Sequence, residues 1–298
     1  MSPHASTPAA DQAARLRDAY AHCESIARRH YENFPVASLL LPRRLRPHVA
    51  AIYAFARLAD DFADEATFEG RRLQLLSGWR ERLDRAAAGD ADEPVFVALS
   101  DTILRHGLPA ALLHDLISAF EQDVRVNGYE TFDELLAYCR LSANPVGRLV
   151  LALSRRGEAH LLEMSDAICT ALQLTNFWQD VAVDLDKGRC YLPRSEMLRF
   201  GCTAEMLSAM AARRIVTEPF VELMAFQTRR TRQMFDLGQA LPDQVGGRLG
   251  FELRLVLMGG RRVLDLLEAS RFDVFTRRPT LSTPDWGRLV ARAALRRR

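Results

Sequence analysis

The stretch Gln173–Tyr191 reads QLTNFWQDVAVDLDKGRCY. Its polar residues Gln173, Asn176, Asp180 and Asp184 follow at steps of three, four and four. A helix brings residues at those steps onto one face, so the spacing predicts a helix with an amide and carboxylate row along one side. Trp178, Val181, Val183 and Leu185 lie on other faces and are expected to pack. Burying such a polar row without partners costs free energy. A divalent cation removes that cost: Mg²⁺ takes hard oxygen ligands, one or two carboxylates at a time, and shares the rest with substrate phosphates. The stretch therefore reads as part of a Mg²⁺–diphosphate site. The plainer reading is a solvated acidic face.

A second stretch tips the balance. Residues 47–65 read PHVAAIYAFARLADDFADE, and Tyr53, Arg57, Asp60 and Asp64 step by four, three and four. Those residues again share one helical face, with Asp61 and Glu65 beside it. Ala50, Ala51, Ala54, Ala56 and Ala59 favour the helix. Two acidic faces, over a hundred residues apart, have a joint explanation: they are expected to face one another across a cavity and hold Mg²⁺ between them. Without a cation the facing carboxylates would repel and some would stay protonated.

The paired motifs DDFAD (Asp60–Asp64) and QLTNFWQDVAVD (Gln173–Asp184) resemble those of the squalene/phytoene synthase family. HYENF (His30–Phe34), YAFAR (Tyr53–Arg57), YCRLSANPVG (Tyr138–Gly147) and GRCYLP (Gly188–Pro193) extend the resemblance, in the right order, over most of the chain. The resemblance implies an all-α, single-domain isoprenoid synthase fold, with a central cavity flanked by two aspartate-bearing helices. It implies prenyl diphosphate substrates bound through Mg²⁺. Three features depart from ordinary members. Gln179 stands where many carry Arg, Glu32-Asn33-Phe34 where many carry Ser-x-Ser-Phe, and Asn144-Pro145 where others have Gly and a small polar residue. Together they resemble the bacterial hydroxysqualene synthase branch of hopanoid biosynthesis, which ionises presqualene diphosphate and quenches the cation with water. Head-to-head condensation of two prenyl diphosphates stays open as the alternative. An inactive assembly subunit derived from the family is the alternative of another class, although both aspartate rows are intact.

By that resemblance Asp60, Asp64, Asn176, Asp180 and Asp184 are the expected Mg²⁺ ligands. Arg57 reads either as a bidentate phosphate contact or as a salt bridge to Asp61 or Asp64. Gln173 lies one turn before Asn176 and is expected to reach the diphosphate. Gln179, neutral and both donor and acceptor, would orient a water. Arg189 and Tyr191 are expected to bind phosphate and close the cavity mouth, or else to bridge a loop. Tyr53 and Tyr138 match cavity-lining positions, where an aromatic face stabilises a carbocation; core packing is the equal alternative. His30 and Phe34 match substrate-contacting positions near the N-terminus, Phe34 reading equally as core.

The remaining composition narrows the field. The 298 residues carry a net charge of +2, too balanced for a nucleic-acid partner. Five scattered cysteines without CxxC spacing suit reduced thiols. No secretory signal opens the chain, and residues 1–10 are expected to be disordered ahead of one domain over 11–298. No apolar run is long enough to span a membrane, so a cytoplasmic protein is expected. The basic end, with Arg277, Arg278, Arg292 and Arg296–Arg298, reads as a solvated helix end, with peripheral contact to anionic lipid as the second reading. Other enzymes of the squalene pathway are candidate partners. No GxGxxG or Walker loop is present, which speaks for water rather than hydride as the quencher. Steps of three and four predict helices over Glu69–Ala88, Pro94–His106, Ala110–Asn127, Thr131–Cys139, Pro145–Arg155, Leu161–Asp184, Ala204–Ala212, Glu218–Ala240, Arg248–Glu268 and Pro284–Arg296. No strand is predicted.

Overall fold

The computed structural model describes residues 8–29 and 42–295. Among them the chain is all-α: no strand forms, and a lone parallel bridge joins Gly128 to Cys190. Within the span expected as one domain, contacts gather into two compact units, Met1–Val124 with Leu149–Arg156, and Arg125–Arg148 with Gly157–Arg298.

In the first unit α1 (Pro8–Arg29) packs on α2 (Arg46–Asp64), and both pack on α4 (Pro94–His106); α3 (Arg72–Ala87) lies against α2 and α4, and α5 (Ala110–Arg125) closes the run. Pro8, Ala9 and Ala10, expected to be disordered, open α1. Pro94 is the first residue of α4 and Pro47 the second of α2, positions where the missing N–H has no helical partner to lose. Left-handed Gly107 ends α4 (φ 61°). The core is aromatic. Phe55 of α2 stacks on Trp79 of α3 at 5.8 Å, and Phe96 of α4 meets Trp79 edge-on at 4.5 Å. The Trp79 indole N–H donates to the Phe55 carbonyl. A polar knot sits beside it: the Tyr20 hydroxyl donates to Asp101 Oδ2 (2.6 Å) and lies 2.9 Å from His48 Nδ1. Burial lowers His48 to a pKa of about 4, keeping the ring neutral.

The second unit begins with α6 (Phe132–Ser142), opened by a capping box in which Thr131 and Glu134 satisfy each other's backbone N–H groups. Next is α7 (Asn144–Leu153), whose last residues belong to the first unit. The axis of the second unit is α8 (Ala159–Asp186), the long helix predicted from Gln173–Tyr191. Short α9 (Arg194–Arg199) and α10 (Ala204–Arg213) lead to α11 (Glu218–Gly238), which lies along α8. Then α12 (Leu241–Val245) turns the chain into α13 (Gly247–Ala269), packed on α8 and α11, and α14 (Thr283–Leu295) covers α13. The α8–α11 crossing is close. A Cβ on Gly238 would fall 2.4 Å from Ile168 and 2.7 Å from the Met164 carbonyl, so only glycine fits there. Trp178 is fully buried in this seam, its indole N–H donating to Thr231 Oγ1 at 2.8 Å. Val181 packs as expected, whereas Val183 is 45% exposed: two residues on from Val181, it lies on the opposite side of the helix.

Candidate active site

In the first acidic motif, α2 places Tyr53, Arg57, Asp60, Asp61 and Asp64 half-buried along one side, while Ala51, Ala54, Phe55, Ala59 and Ala63 fill the core. Arg57 reaches one turn onward, with Nη2 2.6 Å from Asp61 Oδ1 and Nη1 3.3 Å from Asp60 Oδ2. The salt-bridge reading of Arg57 is thus realised, with Asp60 and Asp61 as the partners drawn. Burial raises the Tyr53 hydroxyl above its ordinary pKa, so the ring presents a neutral phenol.

In the second motif, α8 buries Leu174, Thr175, Phe177, Trp178 and Val181 and leaves Gln173, Asp180 and Asp184 half-buried and Asn176 exposed. The four-residue row predicted from spacing is therefore one accessible stripe. Gln179 lies apart from that stripe. It is buried at 6% exposure, and its amide N–H donates to the Pro279 carbonyl. One residue away, Arg278 grips Asp180 with both ends of its fork, Nε to Oδ1 and Nη2 to Oδ2 at 3.0 Å. These hydrogen bonds and the charges of Asp180 and Asp184 raise the Arg278 guanidinium above its usual pKa. Arg278, read from sequence as part of a solvated basic end, is exposed and also paired with Asp180. No local signal announces it, since the two partners are 98 residues apart. Gln179 gives one amide N–H to the backbone of residue 279, which leaves its second N–H and its Oε1 for the water-orienting role expected of it.

After α8, left-handed Gly188 (φ 73°) reverses the chain, and the Cys190 N–H donates to the Asn127 carbonyl at 2.8 Å. This return lays Tyr191 flat on Phe177, ring centroids 3.8 Å apart and planes 8° from parallel. Tyr129 and Tyr138 stand at 6.1 and 6.0 Å from Tyr191, completing a four-ring cluster that sequence reading resolved only in part: Tyr129 carried no expectation. Tyr138 is itself buried. Arg189 is half-buried in the same return. The Cys190 thiol is raised by burial and contacts the Leu192 carbonyl, which makes it a packing group. His30 and Phe34 lie outside the described residues, as do Arg296–Arg298.

Asp60, Asp64, Asn176, Asp180 and Asp184 offer hard oxygen donors only, the set that suits Mg²⁺. Among the described residues no three His, Cys, Asp or Glu side chains converge as a ready cage.

The squalene/phytoene synthase family pattern matches residues 27–285. This chain belongs to that family. Its members act on prenyl diphosphates in isoprenoid biosynthesis. The chain is 38% identical to a hydroxysqualene synthase from Zymomonas mobilis over 230 residues, 76% of this chain and 75% of the relative. It is 32% identical to a phytoene synthase from Arthrospira platensis over 92% of this chain and 91% of the relative. The solved structure of squalene synthase HpnC from Alicyclobacillus acidocaldarius superposes with a TM-score of 0.82 at 40% identity, covering 87% of this chain and 96% of that one. The family's all-α architecture is the one found here. Among the described residues no helix is long and apolar enough to cross a membrane.

Proposed function

We propose that this protein converts presqualene diphosphate to hydroxysqualene in a Mg²⁺-dependent reaction: ionisation of the diphosphate, rearrangement of the carbocation and capture by water. The observation that carries this reading is the 38% identity to a hydroxysqualene synthase, higher than the 32% to a phytoene synthase, although the latter spans more of the chain. An argument from a missing charge does not add to it. Gln179 replaces a family arginine, yet Arg278 brings a guanidinium to the neighbouring Asp180.

Asp60, Asp64, Asn176, Asp180 and Asp184 would hold the ions. Bound Mg²⁺ supplies polarisation of the diphosphate and neutralises the departing charge. Arg57, held by Asp60 and Asp61, would turn its fork to phosphate oxygens once Asp60 takes an ion. Arg189 and Gln173 add donors to the same leaving group. The faces of Tyr53, Tyr138 and Tyr191 stabilise positive charge and, with Phe177, keep stray water away. His30 and Phe34 contact the prenyl chain. Contact with anionic lipid and with other squalene-pathway enzymes belongs to this reading, since substrate and product are both largely apolar.

The second reading is condensation of two prenyl diphosphates, favoured by the breadth of the phytoene synthase match. One experiment separates the two. Purified protein with Mg²⁺ and no NADPH, in ¹⁸O-labelled water, should turn presqualene diphosphate into a labelled C30 alcohol. Consumption of farnesyl or geranylgeranyl diphosphate at a comparable rate, giving a condensed product, would replace the first reading by the second.

A further inference from the structure

The segment between α13 and α14 is firmly anchored at both ends. On one side Val274 and Phe275 are buried, and the Thr276 N–H donates to Asp273 Oδ1 at 2.9 Å. On the other side Ser282 and Arg262 bond to the buried carboxylate of Asp285. Residues 277–282 between these anchors have no regular structure. Among the described residues, 277–281 make no backbone–backbone hydrogen bond. Two tethers hold the middle of this strap, and both come from consecutive residues of α8: Gln179 to the Pro279 carbonyl, and Asp180 to the Arg278 fork. Arg277, Arg278 and Thr280 are exposed, while Pro279 and Leu281 are half-buried, so no residue of 277–281 is fully buried.

Asp180 gives both carboxylate oxygens to Arg278. A divalent cation taking Asp180 as a ligand competes for those same oxygens. The pair on α2 differs, because Arg57 shares a helix with its partners and can turn aside by side-chain rotation alone. Arg278 is borne by irregular backbone, so its departure frees the strap as well as the carboxylate. We propose that residues 277–282 form a cation-released strap: Arg278 occupies Asp180 in the cation-free protein, a divalent cation displaces it, and Gln179 holds Pro279 as the pivot about which the strap then moves. This inference rests on the reading of Asp180 as a metal ligand.

The test uses the full chain, with Mn²⁺ and inorganic pyrophosphate as the probe. Mn²⁺ binding is read by electron paramagnetic resonance, and amide exchange over residues 276–282 by mass spectrometry. The strap predicts faster exchange in this segment when Mn²⁺ and pyrophosphate are added. Arg278→Gln should show that fast exchange without metal. It should also bind Mn²⁺ about fivefold more tightly, the scale set by losing one partly exposed competing ion pair. Gln179→Ala should loosen the strap and leave Mn²⁺ affinity within about twofold, since it removes no competitor for the carboxylate. Arg278→Lys keeps the charge without the fork and gives an intermediate affinity, which supplies the reading if the glutamine variant misfolds. If Asp180→Asn weakens Mn²⁺ binding while strap exchange stays unchanged by metal, the strap is refuted and the metal reading of Asp180 stands. If Mn²⁺ binds with equal strength to wild type and Asp180→Asn, or to neither, both readings fall.

Discussion

The two aspartate-bearing helices solve the same electrostatic problem by different means. On α2 the countercharge is local: Arg57 sits three and four residues before Asp60 and Asp61 and neutralises them from within one turn of the same helix. On α8 it is remote: Asp180 is met by Arg278, which arrives from the segment ahead of α14. A helical i,i+4 pair is present as soon as the helix forms and stabilises it by only a few tenths of a kcal/mol. A remote pair forms only when the surrounding unit folds, and it ties a loop to a helix. The first device tunes a side chain. The second positions backbone.

If both rows serve the same chemistry, the largest effect should be shared. Asp60→Ala and Asp180→Ala should each lower turnover by roughly 10²–10³ or more, with helical circular dichroism unchanged. EDTA should abolish turnover reversibly, and full activity in EDTA would remove the metal from both helices at once. A second change sharpens the contrast in rigidity. Thr231→Val leaves the buried Trp178 N–H without its acceptor and should cost about 1–3 kcal/mol in urea unfolding. A loss near zero would show that the α8 seam does not depend on that hydrogen bond. The smallest effect belongs to the local pair: a double-mutant cycle on Arg57 and Asp61 should return a coupling of about 0.3–0.5 kcal/mol, diminished by salt. A coupling several times larger would make the α2 pair structural in its own right and erase the difference between the helices.

What sequence could show follows the same division. Steps of three and four place Tyr53, Arg57, Asp60 and Asp64 on one side of α2, and Gln173, Asp180 and Asp184 on one side of α8; all seven are half-buried there. Helical spacing needs nothing beyond local geometry. Two short helices escaped because α9 and α12, at six and five residues, are too brief for a 3.6-residue period to register. Helix α1 escaped because its buried side is the narrow set Ala19, Cys23 and Ile26. The stack of Tyr191 on Phe177 depends on the Gly188 reversal, and the grip of Arg278 on Asp180 spans 98 residues. Neither leaves a periodic trace. Gln179 shows the limit most plainly: nothing local announces that its amide is tied to the Pro279 carbonyl, 100 residues away.

The buried indole in the α8–α11 seam gives the protein a built-in optical gauge. Trp178 lies two residues from Asp180, wholly screened from solvent and hydrogen-bonded to Thr231. Trp79 sits in the core of the first unit, and Trp286 lies in the first turns of α14, just past the strap. The three fluorophores thus report on a core, the helix of the second aspartate row and a loop end. With the other two replaced by phenylalanine, the emission of Trp178 would stay blue while the seam holds and shift red when water enters it, so opening of the helix under the second aspartate row can be followed in real time without any added label.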